Sequence, residues 1–368
     1  MMGIIHVVSC STGKDSVATL LLAVERFGAS RVRGILCDTG NEHELVFQHR
    51  LYLEKATGVR IVVLKANFDA EIAAKRFFIA RDKRTRREYD TKPVFEADGT
   101  TPVPKRDGRG NIVTKKAKHD GVDVLVPVQK MVKVGGGRRV RWSNKAKRRA
   151  LAALHPTGIP FLDLCMWKGR FPSRKAQFCT EHLKRDMAVS YQLDLIAQGH
   201  TVVSWQGVRR DESLNRANAK KFERLDDHMY VFRPIVEWTA EDTFTYADSK
   251  GIDPNPLYKC GMGRVGCMPC INASKGEIKE IALRFPDHIE KVNEWEQKVA
   301  ACSKRQAATF FPAPSRGEVV NDEKAYAADH NIYSIVKWSK TTRGGKQFSL
   351  LTELHEPNKC SSSYGLCE

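Results

Sequence analysis

The chain has 368 residues, 42% of them hydrophobic, and a formal net charge of +18. This is enough for a sizeable core in one large domain or two ordinary ones, and no apolar run approaches the roughly 18 residues of a membrane-spanning helix. We expect a cytoplasmic protein with no membrane partner, because a strand begins almost at once and leaves no room for a signal peptide. Ten cysteines then indicate metal binding or catalysis rather than a disulfide framework.

The first predicted element is an apolar strand, residues 4–8, which leads through a turn into an apolar-periodic helix. Backbone N–H groups at such a helix N-terminus bind phosphate, and the turn adds the charge of Lys14 and the hydroxyls of Ser11 and Ser16. An ordinary strand–helix turn is the alternative, but Ser-x-Gly-Lys-Asp-Ser directly after a strand favours phosphate binding. The spacing is not that of a Walker A loop. The predicted phosphate-binding residues are Ser11, Thr12, Gly13, Lys14, Asp15 and Ser16.

Strands and helices alternate through the next segment. Residues 32–38 read as a second strand that ends at Asp38, followed by a helix over 44–57 and a third strand over 60–64. This alternation predicts a doubly wound α/β fold with a parallel sheet of five or six strands, whose carboxyl edge binds ligands. We predict a discontinuous nucleotide-binding domain over residues 1–80 and 150–275, and a helical C-terminal region over 276–368.

Between these parts lies a basic insertion, residues 81–149. It contains 21 lysines and arginines against 8 aspartates and glutamates, so most of the net charge of the chain is concentrated here. Short alternating runs at 122–128 and 130–134 predict small hairpins. A flexible solvated loop is the alternative, but we favour a nucleic-acid contact surface, because binding to phosphates needs a patch of this kind.

The second half of the chain resumes with core-like sequence. We predict a helix opening at residues 178–184, a strand at 193–197, a capped helix over 239–249 and an amphipathic helical region over 278–303. Between the predicted strand at 193–197 and the capped helix at 239–249, the segment 207–216 carries candidate anion-binding residues. They are Gly207, Arg209, Arg210 and Arg216. Paired arginines bind phosphate or sulfate, but they also form surface ion pairs with acidic neighbours, here Asp211 and Glu212. The sequence barely separates these two interpretations.

A cysteine constellation follows a proline-rich stretch. Cys260, Cys267 and Cys270 lie within eleven residues, the last two as Cys-x-x-Cys. With a fourth thiolate they could hold an iron–sulfur cluster. A redox-active Cys-x-x-Cys pair and a zinc site are the competing interpretations, since zinc also binds four thiolates.

Taken in order, four blocks resemble the phosphoadenosine phosphosulfate reductase family of the adenine-nucleotide α-hydrolase superfamily. They are residues 11–16, residues 38–42, residues 207–216 and the segment 234–270, which carries Asn-Pro-Leu-Tyr ahead of Gly-Cys-x-x-Cys. The resemblance covers roughly residues 4–80 and 160–300, but neither the insertion nor the final fifty or so residues. It implies a Rossmann-like α/β fold.

Within that family, Lys14 and Asp15 resemble the ATP-cleaving branch, and the cysteine pattern resembles the iron–sulfur sulfurtransferase component of DNA phosphorothioation systems. The resemblance implies ATP, Mg²⁺ and a [4Fe-4S] cluster held by Cys179, Cys260, Cys267 and Cys270. It implies catalytic roles for Lys14, Asp15, Arg209 and Arg210, and nucleotide contacts from Asp38, Gly207 and Arg216. The implied partners are nucleic acid, DNA rather than RNA, and a sulfur donor such as a cysteine desulfurase.

Other functions remain open at this point. A reductase of adenylyl sulfate or phosphoadenylyl sulfate would use a thioredoxin-like electron donor, and its catalytic cysteine would lie in a C-terminal Glu-Cys-Gly segment. The residues around Cys367, Gly-Leu-Cys-Glu, differ in order from that segment, and Cys360 precedes them. A tRNA thiolation enzyme and a non-catalytic nucleic-acid-binding regulator are the further alternatives.

Overall fold

The computed structural model describes residues 3–84, 87–119, 122–139, 141–311 and 327–342. The chain divides into two compact units, one formed by residues 1–77 and 145–368 and the other by residues 78–144. The second unit overlaps most of the basic segment, residues 81–149, and begins three residues before it. We describe each unit by itself.

A six-stranded sheet organises the described part of the first unit, in the order β3-β2-β1-β8-β10-β9. Its strands are β1 Ile4–Ser9, β2 Val32–Asp38, β3 Ile61–Lys65, β8 Thr201–Trp205, β9 Phe222–Asp226 and β10 Met229–Phe232. β1 pairs in parallel with β2, where His6 lies opposite Val32, and with β8, where Ile4 lies opposite Thr201. Only the edge strand β9 runs antiparallel to its neighbour, β10.

Helices separate these strands and continue beyond them. They are α1 Lys14–Phe27, α2 Glu44–Thr57, α3 Asp69–Arg81, α4 Asn144–Ala153, α5 Pro160–Lys168, α6 Phe178–Thr180, α7 Asp186–Ala197, α8 Ala240–Ser249, α9 Lys275–Arg284, α10 Pro286–Cys302 and α11 Ile332–Ser339. A π-helical turn, Glu181–Arg185, joins α6 to α7. The predicted capping box is confirmed, since the Thr239 hydroxyl accepts the N–H of Asp242 and the Asp242 carboxylate accepts the N–H of Thr239. Reciprocal capping of this kind satisfies two donors at the start of α8.

The central strands are buried because helices cover them. Val7 in β1, Ile35 in β2 and Val202 in β8 are all fully buried and pack with Ala188 of α7 in one cluster. Strands buried in this way read as continuous apolar runs rather than alternating ones, which is why β1 and β2 are recognisable in the sequence. The predicted doubly wound α/β fold is therefore confirmed, with the difference that one edge strand is antiparallel.

One predicted strand is wrong. Residues 193–197 form the last turns of α7, and the strand is β8, Thr201–Trp205. A short apolar run cannot be told from a buried helical segment by periodicity alone. Gly199, with φ of +88°, separates the helix from the strand, and the β-branched residues follow it.

The second unit is built of antiparallel pairs. β5 (Thr114–His119) pairs with the next strand, β6 (Val122–Pro127), so the hairpin predicted around residues 122–128 is confirmed. The predicted run 130–134 lies in β7 (Met131–Arg139), which pairs with the distant strand β4 (Arg87–Pro93) rather than forming a small hairpin. Between the two pairs, the backbones of Val94, Val103 and Lys130 hydrogen-bond in a closed ring, each N–H donating to the next carbonyl. Near the two ends of this unit, the Asp82 carboxylate accepts the backbone N–H of Trp142 and a side-chain N–H of Arg84.

None of the helices that the structure describes combines the length and apolar character needed to cross a bilayer. Cys360 and Cys367 lie outside the described residues.

Candidate active site at the carboxyl edge of the sheet

The predicted phosphate-binding turn lies at the centre of the sheet. β1 sits between β2 and β8, and the chain goes from β1 to β2 on one side and returns to β8 on the other. Ligands of open α/β sheets bind in the crevice that this reversal creates beyond the carboxyl ends of the strands. The turn after β1 and the segment after β8, residues 206–209, both lie at that point.

The two segments are in backbone contact. A Cβ atom placed on Gly207 would lie 2.9 Å from the carbonyl oxygen of Asp15 and 3.1 Å from the nitrogen of Ser16. Any side chain at Gly207 would therefore push against the first turn of α1. Glycine is needed at this position because the approach is too close for a Cβ atom.

Thr12 occupies a backbone conformation that favours glycine. Its φ is +67°, in the left-handed region, and its side chain is fully buried. The Thr12 hydroxyl accepts a hydrogen bond of 3.0 Å from the side-chain amide of Asn255. A non-glycine residue in this conformation costs energy, and it persists where surrounding contacts hold it, often at functional sites.

The start of α1 is organised by its own hydroxyls. The Ser16 hydroxyl donates to the Gly13 carbonyl at 2.9 Å, and it lies 3.2 Å from the Ser11 hydroxyl. No side chain caps the helix at Gly13. Instead, the backbone N–H of Lys14 donates to the phenolic oxygen of Tyr258 at 2.9 Å. The helix N-terminus is therefore bound by an oxygen from a distant part of the chain.

Asp15 is fully buried between two cations. Its carboxylate accepts from Arg209 at 2.9 Å and lies 3.1 Å from the ammonium group of Lys14. Arg209 is 2% exposed and also bonds both oxygens of Asp211. Buried charges are tolerated when they are paired in this way, because removing one partner leaves the other uncompensated.

The other two arginines of this segment point elsewhere. Arg210 donates to the carbonyl of Ala219 and to the carboxylate of Glu237. Arg216 is buried and forms an ion pair with Glu212. The ion pairs that the sequence suggested for Asp211 and Glu212 are both present, and Arg209 joins this segment to Asp15 in the predicted phosphate-binding turn.

The loop after β2 binds the Cys-x-x-Cys segment. Asp38 accepts the N–H of Gly40 at 2.8 Å, which shapes the turn. Asn41 then bonds the segment twice, since its carbonyl accepts the N–H of Met268 at 2.7 Å and its side-chain amide donates to the carbonyl of Pro269 at 2.9 Å. The cysteines are thus fixed to the same sheet edge as the phosphate-binding turn.

Three of the four predicted metal-binding cysteines line one cavity. Cys179, Cys267 and Cys270 border a space of about 320 Å³, counted with its opening, and Cys260 is absent from the described lining. Asn272 also lines it, is 3% exposed, and has a side-chain oxygen with no hydrogen-bond partner in the described residues. Lys184 borders this cavity and a neighbouring one that reaches Cys10 and Ser11.

The donor chemistry of this cavity suits a thiophilic metal or a cluster, because three thiols converge on it. The described side chains nevertheless contain no group of three or more close enough to bind a metal ion as they stand. Burial raises the pKa of the Cys267 thiol to about 12, and nearby Lys184 opposes that rise. A buried thiol of this kind becomes a thiolate when a metal replaces its proton.

Sequence reasoning named the Asn-Pro-Leu-Tyr stretch but assigned no role to its residues. The structure places Asn255 on Thr12 and Tyr258 on Lys14, more than 240 residues away along the chain. It also places Lys184 and Glu42 beside Cys267. The signal available in the sequence was an asparagine and a tyrosine within a proline-rich segment directly ahead of the cysteines.

Comparison with known protein families matches residues 5–93 and 130–273 to the phosphoadenosine phosphosulfate reductase domain. The match extends into both ends of the basic insertion, which is further than the resemblance in the sequence suggested. An "uncharacterized 37.8 kDa protein in gpa 5′ region" of Escherichia phage 186 is 40% identical over 372 residues, which cover 99% of this chain and 97% of that protein.

Other similarities are more local. An adenosine 5′-phosphosulfate reductase of Streptomyces coelicolor is 42% identical over 65 residues, 17% of this chain and 28% of the reductase. A crystal structure of phosphoadenylyl-sulfate reductase from Candida auris, in complex with phosphate, aligns with a TM-score of 0.35 and 10% identity over 72% of this chain and 82% of that one. Since the family match spans well over half of the sequence, the chain belongs to the phosphoadenosine phosphosulfate reductase family.

Proposed function

We propose that this protein is an adenylating sulfurtransferase of the phosphoadenosine phosphosulfate reductase family, which cleaves ATP between its α- and β-phosphates and transfers sulfur to nucleic acid. The observation that carries the proposal is the shared position of two sites. The phosphate-binding turn and the cavity of Cys179, Cys267 and Cys270 lie at one sheet edge, and Lys184 borders both.

In this proposal the ATP phosphates bind over residues 11–16. The backbone N–H groups at the start of α1 and the Lys14 ammonium group would stabilise the charge that develops on pyrophosphate. The Asp15–Arg209 ion pair fixes the backbone of that turn. Because the Asp15 carboxylate is already bound by two cations, a magnesium ion bound with ATP would be held mainly by the phosphates.

The reaction then has two displacements. An oxygen of the acceptor attacks the α-phosphorus, the bond to the bridging oxygen breaks, and pyrophosphate leaves with the electron pair. The terminal sulfur of a cysteine persulfide, supplied by a donor such as a cysteine desulfurase, next forms a bond to the activated atom, and AMP leaves with the activated oxygen. A thiol reductant then attacks the inner sulfur of the donor, the S–S bond breaks, the transferred sulfur keeps the electron pair, and the donor cysteine ends in a disulfide with the thiol. A [4Fe-4S] cluster, held by the cysteines that line the cavity together with Cys260, would supply a centre able to bind that sulfur.

Nucleic acid is the proposed acceptor because the net charge of +18 suits a polyanionic partner. DNA is preferred to RNA on the resemblance to phosphorothioation enzymes. The alternative of transfer-RNA thiolation uses the same two displacements and differs only in the acceptor.

The test measures release of pyrophosphate and AMP from ATP by anaerobically purified protein in the presence of duplex DNA, a cysteine desulfurase with cysteine, and a thiol reductant. Lys14→Ala should lower this rate by about 10²–10³-fold, the typical cost of one contact to developing charge. Lys55→Ala, at an exposed lysine of α2, is the matched control and should leave the rate unchanged. Equal rates for wild type and Lys14→Ala would refute the adenylating mechanism.

A reductase of adenylyl sulfate is the second candidate, favoured by the 42% identity to the Streptomyces coelicolor reductase over 65 residues. It predicts that the protein releases sulfite from adenylyl sulfate with reduced thioredoxin and without ATP. Sulfite release under those conditions, together with no cleavage of ATP, would replace the first proposal with this one.

A further inference from the structure

The second unit has an unusual charge. Residues 78–144 contain seventeen lysines and arginines and eight aspartates and glutamates, a net charge of +9 and half of the total. Many of its described cations are exposed, namely Lys83, Lys92, Lys105, Arg106, Arg109, Lys115, Lys116, Lys130, Lys133 and Arg141. None of these ten forms a salt bridge with a carboxylate in the described part of the chain.

Acidic residues of the unit are engaged by their own turns instead. The Asp98 carboxylate bonds the hydroxyl and N–H of Thr101, and the Asp107 carboxylate accepts the N–H groups of Asn111 and Arg109. These hydrogen bonds lower the pKa of both aspartates, so each stays ionised while holding a loop. The charges of Asp98 and Asp107 therefore shape their own turns, and neither carboxylate pairs with any of the ten cations within the described residues.

The β5–β6 hairpin is exposed at most of its described side chains, with Ala117 and Val126 half-buried on one face. Its six residue pairs, from Thr114 opposite Pro127 to His119 opposite Val122, make a ribbon about 20 Å long. Lys115 and Lys116 alternate between its faces, and both are exposed, as is Leu125 at 66%. A two-stranded ribbon with so little covering is marginally stable in water, and a partner that packs on it would stabilise it.

Groove dimensions decide between the duplexes that such a ribbon could enter. The major groove of B-DNA, about 12 Å wide, admits a two-stranded β-ribbon, and apolar side chains there can contact thymine methyl groups. The major groove of A-form RNA is too deep and narrow for side chains to read. A basic ribbon with an exposed leucine therefore fits the major groove of B-DNA and does not fit the major groove of A-form RNA.

We propose that residues 78–144 bind double-stranded DNA, with the β5–β6 hairpin in the major groove and Lys115 and Lys116 on the flanking phosphates. The inference names the partner of the proposed function and the surface that binds it. Its test contains no ATP, so failure of DNA binding and failure of ATP cleavage are separate results.

The experiment titrates a fluorescein-labelled 20-base-pair DNA with the full-length protein at several KCl concentrations and follows anisotropy. Each phosphate contact contributes about 0.9 to the slope of log Kd against log salt. Lys115→Gln with Lys116→Gln should therefore lower the slope by about 1.8 and weaken binding at least tenfold at 100 mM KCl. The control pair Lys55→Gln with Lys298→Gln removes the same charge from exposed positions of α2 and α10, and should change the slope by less than half as much.

Leu125→Ser separates groove insertion from simple charge attraction. It should weaken DNA binding without changing the salt slope, and methyl green, which occupies the major groove, should compete where distamycin, a minor-groove ligand, does not. Equal slopes for the two double variants would overturn the DNA surface. Equal or tighter binding of an RNA duplex of the same sequence would overturn insertion of the hairpin into the major groove.

Discussion

The phenolic oxygen of Tyr258 lies 2.9 Å from the backbone nitrogen of Lys14 and accepts its N–H. Three residues earlier, Asn255 donates to the hydroxyl of Thr12. The segment that leads to the cysteines is thus bound to the phosphate-binding turn at two points. An anion that takes the Lys14 N–H would have to share it with Tyr258 or displace it.

Tyr258→Phe tests this relationship. The variant leaves a partly buried N–H without its acceptor, so we expect a loss of about 1 kcal/mol in the free energy of unfolding. Binding of inorganic pyrophosphate should be equal or tighter, because the anion no longer competes with the tyrosine hydroxyl for the Lys14 N–H. Urea denaturation and isothermal titration calorimetry measure the two effects. Tyr246→Phe, which removes a hydroxyl bound to Glu25, is the control for stability. Much weaker pyrophosphate binding by Tyr258→Phe would mean that the hydroxyl itself binds the anion.

Gly207→Ala should damage the phosphate-binding turn. The added methyl group would meet the carbonyl oxygen of Asp15 at 2.9 Å, and backbone atoms must shift to make room. Overpacking of this kind typically costs about 1–3 kcal/mol. We expect lower stability by urea denaturation together with a loss of ATP cleavage. Gly3→Ala, where no atom lies within 4 Å of the added methyl group, should change neither property. Wild-type activity in Gly207→Ala would show that the close approach of the two segments is unnecessary.

Glu296 makes the stability of the protein depend on pH. Its carboxylate is 4% exposed and accepts the N–H groups of Phe310 and Ile332 at 2.7 and 3.0 Å. Burial raises its pKa to about 7 from 4.5, against the effect of these hydrogen bonds. Between these two values the folded state holds a proton that the unfolded state has lost, so stability falls as the pH rises from about 4.5 to 7.

Glu296→Gln removes this titration. The glutamine keeps one acceptor and loses the other, which costs stability at every pH. The difference in unfolding free energy between wild type and variant should therefore change by up to about 3 kcal/mol from pH 5 to pH 8, in the direction that favours the variant at high pH. Urea denaturation across that range measures it. Parallel curves for the two proteins would assign the pH dependence to other groups.

The proposed iron–sulfur cluster at the cysteine cavity would give the protein a colour. Purified without oxygen, it should be brown and contain about four irons per chain, as expected for a cubane cluster. Serine at Cys179, Cys260, Cys267 or Cys270 should remove the iron, while serine at the buried Cys302 should not. Iron and acid-labile sulfide analysis gives the result. A colourless anaerobic preparation with one zinc per chain would contradict the cluster and leave a structural metal site.

The sequence was sufficient for strands β1 and β2 of the central sheet because their signal is local. The apolar runs of β1 and β2 and the turn after β1 could be read directly, since these strands are buried on both faces. Strand β9 could not be read in the same way. Its sequence, Phe-Glu-Arg-Leu-Asp, is polar and mostly exposed, and it forms a strand only because β10 lies beside it.

The candidate site was only partly predictable for a different reason. Residues 11–16 form a continuous motif, whereas the contacts of Tyr258 and Asn255 join positions that are distant in the chain. The segment 209–216 shows the same limit. Arginine beside acidic residues is compatible with anion binding and with ion pairing, and only the fold shows that Arg209 turns inward to Asp15.

The ladder between β4 and β7 ends at the pair Pro93 and Met131, and the family match stops at residue 93 and resumes at residue 130. The two strands bring the ends of the unmatched stretch side by side. A loop on such a base can be lengthened, shortened or exchanged without changing the register of the pairs below it. In an evolving lineage, residues 94–129 could therefore be replaced as a cassette, and under the proposed function such a replacement would change the nucleic-acid target while the residues at the sheet edge stay the same.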